Sequence, residues 1–340
     1  MSPSRREFLK RAGLTSAALG FPAIVPAAVV GKGKVMPNDR VNVGMIGCGS
    51  IADYYHRSAL KQMDDVRVVA TCDAFRRRAE GMANRYNKDY GSEVATVNDD
   101  FRELLAREDV DAVVIAAHDN WHTPMSIAAV RAGKDVYCQK PLALDYSQTP
   151  ELRDAVAKHE RVFQFGTQYR SQGRYRLLVE LVRNGYIGEL KRIDVWCRNV
   201  HNDKDHYKVA PYGSTEVVPV PEGLDFDAWQ GPSPMADYTE DRCTRWGGFH
   251  CPETSLGFIA GCGIHPLGVA QWGNRSDDTS PIHYEGTGNL APEGIFRTLE
   301  HWDMHCLYDN GVELHFMDAD TAGKVVAEYK PGEWKGGDGV

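Results

Sequence analysis

Short apolar runs alternate with amphipathic stretches along the first half of the chain. Val41-Asn42-Val43-Gly44-Met45-Ile46 reads as a buried strand, and a helix-like stretch follows to about Met63. Val66 to Thr71 is a second apolar strand and Val94 to Val97 a short third. Asp111 to Ala117 is continuously apolar, as a central parallel strand must be when both its faces are covered. Between these runs, Arg76 to Lys88 and Asp99 to Arg107 read as helices, the latter with Phe101, Leu104 and Leu105 at helical spacing. A helix to Arg131, a stop at Gly133, a strand from Asp135 to Cys138, a crossover helix from Thr149 to Glu160 and a strand from Val162 to Phe165 complete the alternation. The pattern predicts an α/β fold with a doubly wound parallel sheet.

Beyond this point the rhythm changes. Tyr175 to Asn184 reads as a helix closed by Gly185. Leu190 to Val200 then alternates, with Ile193, Val195 and Cys197 on one side and Asp194, Trp196 and Arg198 on the other. A turn-rich stretch from His201 to Asp237 holds Pro211, Pro219, Pro221, Pro232 and Pro234, and a loop of that length usually carries function or clamps a neighbour. Gly263 opens a helix through Trp272, and strands return at Ile282 to Gly286, Leu299 to Tyr308 and Val312 to Phe316. Asn310-Gly311 is a strong hairpin signal between the last two. These elements predict a C-terminal α+β domain with an open, mostly antiparallel sheet. The expected division is a leader and linker over 1–37, a nucleotide-binding domain over 38–166 and a second domain over 167–340.

The junction of the first strand and helix carries chemistry. In Gly47-Cys48-Gly49-Ser50-Ile51-Ala52, Gly47 permits a tight turn, Gly49 lets a pyrophosphate approach the backbone, and Ala52 keeps the helix close to the strand. The unpaired N–H groups of the helix start, around Ser50 and Ile51, suit phosphate oxygens. Asp73, at the end of the second strand, stands where a carboxylate accepts ribose hydroxyls. Strand, turn, helix, strand and acid arrive in order and imply a bound dinucleotide. Asp73 favours NAD, while Arg76 to Arg78 just beyond it leave NADP open.

Net charge −8 disfavours nucleic acid or an anionic membrane as the main partner. The 8 cysteines are scattered without a CxxC pair, which fits neither a disulfide framework nor a zinc site, and Cys48 and Cys72 read as small apolar fillers. His201, Asp205 and His206 match no standard metal spacing, so no metal is expected. Ser4-Arg5-Arg6-Glu7-Phe8-Leu9-Lys10 precedes a mild apolar run from Ala12 to Val30, too short and polar for a secure membrane span. This segment resembles a twin-arginine export signal with cleavage near Ala27 or Ala28. It implies recognition by that export machinery and a periplasmic or otherwise exported protein. Outside the cytoplasm no free nicotinamide pool exists, so a tightly held cofactor is expected. Export in folded form also lets cysteines remain unpaired.

With the Trp121-His122 pair, Tyr137-Cys138-Gln139-Lys140-Pro141-Leu142, Phe165-Gly166-Thr167-Gln168-Tyr169-Arg170 and Gly263-Ile264-His265 added to the glycine turn and Asp73, the chain resembles the glucose–fructose oxidoreductase, inositol dehydrogenase and rhizopine-catabolism (Gfo/Idh/MocA) family, especially its twin-arginine members. The resemblance implies that Lys140 contacts nicotinamide ribose and substrate, and that His265 exchanges a proton with the substrate carbinol. It places Asn120, Trp121, Gln139 and Gln168 beside the cofactor and Tyr169, Arg170 and Arg242 beside a sugar. His122 is either a substrate or cofactor contact or a structural histidine. Three departures stand out. Gln139 replaces the glutamate of the family's Glu-Lys-Pro motif, and Gly261 and Gly268 stand where aspartates flank the histidine. Three readings follow: hydride transfer to or from a sugar-like carbinol, a redox-neutral glycosidase, lyase or epimerase cycle through transient oxidation, or a catalytically decayed sugar-binding protein. A homo-oligomer is expected from the family's exposed sheet face.

Overall fold

The structure, a computed structural model, describes residues 39–199, 212–244 and 247–329; the leader segment and His201, Asp205, His206 and Trp246 lie outside them. Strands β1 (Val41–Ile46), β2 (Val66–Cys72), β3 (Thr96–Asn98), β4 (Ala112–Ile115), β5 (Asp135–Gln139) and β6 (Phe163–Gly166) form one parallel sheet in the order β3-β2-β1-β4-β5-β6. The order reverses between β1 and β4, and a crevice opens there at the carboxyl ends of the strands. Helices cover both faces. Leu104, Val113, Ile115 and Val136 fill one core, and Val43, Met45, Val68, Met82 and Tyr86 fill the other. This two-sided burial is why these strands read as apolar runs. Gly44 sits mid-strand because a Cβ there would lie 2.5 Å from Leu104 Cδ2.

The helix after the glycine turn, α1, differs from expectation. Its body is a π-helical segment, Ala52–Arg57, that runs into a single α turn, Ser58–Leu60. The wider turn brings His56 into the interior, where Gln139 Nε2 reaches its Nε2 at 3.0 Å, while Tyr54 and Tyr55 stay outside. The remaining helices of this half are α2 (Arg76–Tyr90), α3 (Phe101–Ala106), α4 (Asp119–Arg131) and α5 (Thr149–His159).

Helix α6 (Gly173–Arg183) leads to β7 (Arg192–Cys197). Short helices α7 (Phe226–Gln230), α8 (Gly247–His250) and α9 (Phe258–Gly261) precede α10 (Ile264–Gly273). Strands β8 (His283–Leu290), β9 (Leu299–Leu307) and β10 (Glu313–Asp318) join β7 in the order β7-β10-β9-β8. Only β7–β10 is parallel, so the sheet is mixed and mostly antiparallel. Its inner face packs Val195, Trp302, Leu314 and Phe316 against Phe258 and Ala270. A final helix, α11 (Ala319–Tyr329), was not anticipated. Asp318 starts it by accepting from the backbone N–H groups of Asp320 and Thr321 and from Thr321 Oγ1. No helix among the described residues is long and apolar enough to cross a membrane.

Candidate active site

A cavity of about 880 Å³ lies at the switch point, floored by Gly47, Gly49 and Asp73 and walled by Phe101 and Trp121. Gly47 takes φ +85, and a Cβ on it would lie 2.5 Å from the Ala116 carbonyl, so only glycine fits. Gly49 has nothing within 4 Å of a Cβ position: its outer side is open groove, as a backbone approached by phosphate needs. Ser50 and Ile51 are exposed at the helix start, and Ala52 is fully buried against the strand. Asp73 Oδ2 accepts from the Cys48 N–H at 2.7 Å and Oδ1 from the Phe75 N–H at 2.8 Å. Burial raises its pKa and these two bonds oppose the rise. Each oxygen keeps a lone pair for a ribose hydroxyl. The groove's shape, open glycine backbone and terminal carboxylate fit a dinucleotide, held at Gly47–Ala52 and Asp73. Arg78 also lines it. Cys48 and Cys72 are buried free thiols, Cys72 pushed up to about 12 by burial, so neither is a thiolate nucleophile.

The long loop forms the lid of this groove. Asp225, Asp227, Ala228, Trp229, Gly231 and Pro232 line the cavity opposite the glycine turn. The strap is fastened to the end of β2: Arg76 N–H donates to Gly223 O at 3.1 Å, and Asp225 N–H to Ala74 O at 2.9 Å. Phe75, Leu224, Trp229 and Cys243 make a small apolar cluster over the fastening. Trp121 Nε1 donates to Ala228 O at 2.9 Å, and its indole leaves no room for a side chain at Gly231.

Just past β5, at the same edge of the sheet, residues from distant parts of the chain converge. Lys140, just past β5, places Nζ 5.5 Å from the centroid of the Phe249 ring. His265, in the first turn of α10, stacks on Tyr169 with centroids 4.8 Å apart. Burial, then the charge of Lys140, hold the His265 pKa down to about 4, so the ring is neutral at neutral pH. Its Nδ1 is buried without a hydrogen-bond partner. Tyr169 in turn stacks on Tyr175 at 4.4 Å, which fixes the orientation of the imidazole. Phe249 explains one departure from the family pattern, since a Cβ on Gly261 would sit 2.3 Å from Phe249 Cζ. An aromatic face occupies that place, with no space for a carboxylate.

The sequence reasoning missed Asp119. It is buried at the start of α4, accepts from Ser255 Oγ at 2.5 Å and feels the charge of Lys140. Burial raises its pKa to about 6. An acidic first residue of a helix, just after a central strand, was the available signal.

Several expected contacts are placed elsewhere. His122 is almost wholly buried, with Nδ1 2.5 Å from Pro141 O and Nε2 3.1 Å from Ala117 O. Both nitrogens face backbone carbonyls, and the neutral ring donates to one of them, the shorter contact being Pro141 O, so His122 packs the end of β5 against the end of β4 as a structural histidine. Asn120 Nδ2 donates to Gln230 O and Ser233 Oγ, tying α4 to the strap instead of touching the cofactor groove. Gln139 is buried between His56 and the Lys140 N–H and so holds the backbone under Lys140. Arg242 is buried against Glu253 at 3.4 Å. Arg170 is drawn away from the cleft centre, donating through Nη2 to Gly268 O and Asp277 Oδ1. Gln168 lies half-buried in the turn that presents Tyr169.

Fold and groove together define a two-domain dinucleotide-binding protein in which a strap from the second half of the chain lines the crevice. The first domain matches the oxidoreductase family NAD-binding Rossmann fold over residues 41–167, and the second matches that family's C-terminal alpha/beta domain over 176–330. The chain belongs to the Gfo/Idh/MocA oxidoreductase family. It is 32% identical over 167 residues to an inositol 2-dehydrogenase/D-chiro-inositol 3-dehydrogenase of Shouchella clausii, covering 49% of this chain and 47% of that one. It is 33% identical over 204 residues to a glycosyl hydrolase family 109 protein of Shewanella sp. strain ANA-3, covering 55% of this chain and 44% of that one. The matches thus span about half the length of these relatives. Among solved structures, the WlbA dehydrogenase of Bordetella pertussis in complex with NADH and UDP-GlcNAcA shares the fold, with TM-score 0.61 and 14% identity over 82% of this chain and 67% of that one.

Proposed function

We propose that this protein is an exported NAD-dependent oxidoreductase acting on a carbinol carbon of a sugar or cyclic polyol. The observation that carries the reading is the meeting of Lys140, His265 and Tyr169 just past β5, at the same carboxyl edge of the sheet where the dinucleotide-shaped groove opens. NAD bound there supplies the hydride acceptor. The chain's own groups handle the proton and the ring. His265 is neutral, and its unpartnered Nδ1 is a hydrogen-bonding position open to a hydroxyl. It accepts the carbinol proton while the Lys140 ammonium stabilises the oxygen as charge develops on it. Tyr169 holds the imidazole in place, and Asp119 is a buried carboxylate near enough to feel the charge of Lys140, where Gln139 carries none.

A redox-neutral cycle is the second reading, and the strap favours it. A cofactor beneath Asp225–Pro232 is walled in by backbone bonds and by the Trp229 cluster, so it is best regenerated where it sits. The glycosyl hydrolase relative supports the same direction. Catalytic decay, the third reading, predicts binding without turnover. The arginine pair near the N-terminus supports export, which fractionation of expressing cells tests directly.

The deciding experiment is to purify the mature protein without added cofactor, denature it and identify any nucleotide released. Stoichiometric NAD(H) is expected, and a panel of cyclic polyols and aryl glycosides then separates the two enzyme readings. Accumulating NADH means net oxidation; released aglycone without net NADH means the closed cycle. Absence of nucleotide, with no binding of added NAD, would overturn both.

A further inference from the structure

One row of side chains crosses all four strands of the second sheet. Cα pairing sets Asp194 opposite His315, His315 opposite His305, and His305 opposite Glu285. Asp303, two residues before His305 on β9, shares that face. The imidazoles of His305 and His315 stack with centroids 4.1 Å apart and planes 15° from parallel. Nε2 of each approaches the same oxygen, Asp303 Oδ1, at 3.3 Å from His305 and 2.6 Å from His315. On the far side of His315, Nδ1 lies 3.4 Å from Asp194 Oδ1 and 3.0 Å from Arg192 Nη2. His315 is buried and His305 is half exposed, so one wall of the cluster is fixed and the other faces water. None of these residues has a part in the cleft chemistry.

We propose that this row binds a divalent cation of the zinc type, with His305 Nε2, His315 Nε2 and the Asp303 carboxylate as ligands and the fourth position left to Glu285 or water. Two imidazoles and one carboxylate suit zinc; they offer too few oxygens for calcium or magnesium. Two imidazole nitrogens already converge on one carboxylate oxygen, so the three donor atoms that a cation would take lie together before it binds. When the ion binds, the His315 proton leaves Nε2 for Nδ1 by way of solvent. There it faces Asp194, giving the carboxylate–histidine–metal arrangement that orients such ligands. Arg192 Nη2, which donates to Nδ1 at 3.0 Å before the ion binds, gives up that bond and keeps the one to Asp194 at 2.8 Å. The neighbouring group of His301, Asp318 and Asp320 is a poorer candidate, because Asp318 already accepts from the backbone that starts α11.

Untagged full-length protein, stripped with a chelator, is titrated with Zn2+ by calorimetry, and Co2+ absorption reports the ligand geometry. One ion per chain is expected. His305→Gln, an exposed change that leaves the fold intact by circular dichroism, weakens binding at least about tenfold, and Asp194→Asn weakens it about tenfold through His315. His301→Gln leaves affinity unchanged. No binding by the wild type, or binding that His305→Gln does not alter, overturns the site.

Discussion

The glycine turn after β1 and the Lys140 cluster after β5 stand at one edge of the sheet and are built by different rules. At the glycine turn the backbone does the work: Gly47 is fixed by its φ and by the Ala116 carbonyl, and Asp73 is locked by two backbone N–H groups. Little there depends on a neighbour's identity. At the Lys140 cluster every position depends on a side chain from elsewhere. Phe249 excludes a carboxylate at Gly261, Tyr169 orients His265, and Asp119 with Ser255 stands near Lys140. Gly268 has ordinary space, since only Arg170 Nε comes within 4 Å of a Cβ there. So one departure from the family pattern is enforced by packing and the other is not. A backbone-built site tolerates little and changes little; a side-chain-built site can be rewired by substituting several partners together.

The largest effect separates these two regions functionally. Lys140→Ala and His265→Ala should each lower turnover by about 10²–10⁴-fold, the range for losing a proton-transfer group, while bound nucleotide stays stoichiometric. Steady-state rates and nucleotide content measured on the same preparations check it. Loss of nucleotide along with activity would mean that the Lys140 cluster also holds the cofactor, and the division would fail.

The strap gives the next effect. Trp229 is 3% exposed and packs on Phe75 and Leu224, so Trp229→Ala should cost about 3–5 kcal/mol. Much of that cost should appear as local opening, because the strap is held by a small cluster separate from the main cores. Bound nucleotide should then escape during gel filtration. A variant that unfolds earlier yet keeps its nucleotide would make the strap a structural tie only.

Buried histidines set the pH dependence. Burial depresses His56, His118, His122, His250 and His265 from 6.5 to about 4. The unfolded chain therefore binds protons below pH 6.5 that the native chain refuses. The stability from their neutral burial is complete above 6.5 and is lost as pH falls towards 4, at up to about 1.4 kcal/mol per histidine per pH unit. Asp119, raised to about 6 by burial, acts oppositely, since its native form holds the extra proton between its usual 3.8 and 6. Asp73, also raised by burial, acts in the same direction as Asp119. Five histidines outweigh these two carboxyls, so the thermal midpoint should drop between pH 7 and pH 5. A flat profile would mean that these rings are hydrated or carry acidic partners.

Legibility in the sequence followed the same division. The parallel sheet was readable because strands covered on both faces are apolar throughout, and the glycine turn because only glycine takes the φ of Gly47. The π turn in α1 was not, since nothing in Ala52–Arg57 by itself distinguishes it from an α-helix, and the partner of its buried His56 is Gln139, 83 residues away. Helix α11 left a signal in Asp318 and Thr321, but Asp318 also closes a strand. The roles of His122, Asn120 and Arg242 could not be read, because a buried polar side chain is defined by partners that the local sequence does not contain.

The smallest effect concerns Arg170, where family pattern and geometry disagree most directly. The pattern assigns it to a substrate hydroxyl or carboxylate. The structure spends its guanidinium on Asp277 at 2.5 Å and Gly268 O at 2.9 Å, with the Trp272 ring 5.8 Å away. Both partners of the ion pair are more than a third exposed, so solvent screens the pair and its contribution is under about 1 kcal/mol. Arg170→Gln should therefore lower the thermal midpoint slightly and leave KM within about twofold. Asp277→Asn should lower the midpoint at least as much, since it also weakens the pair with Arg183 at 3.6 Å, and the double variant should fall short of the sum because the Arg170–Asp277 pair is lost only once. If instead Arg170→Gln raises KM about tenfold or more with an unchanged midpoint, while Asp277→Asn lowers KM, the side chain leaves Asp277 for the substrate. The strut would then be a resting position, and substrate binding would draw α10 and its His265 along with it.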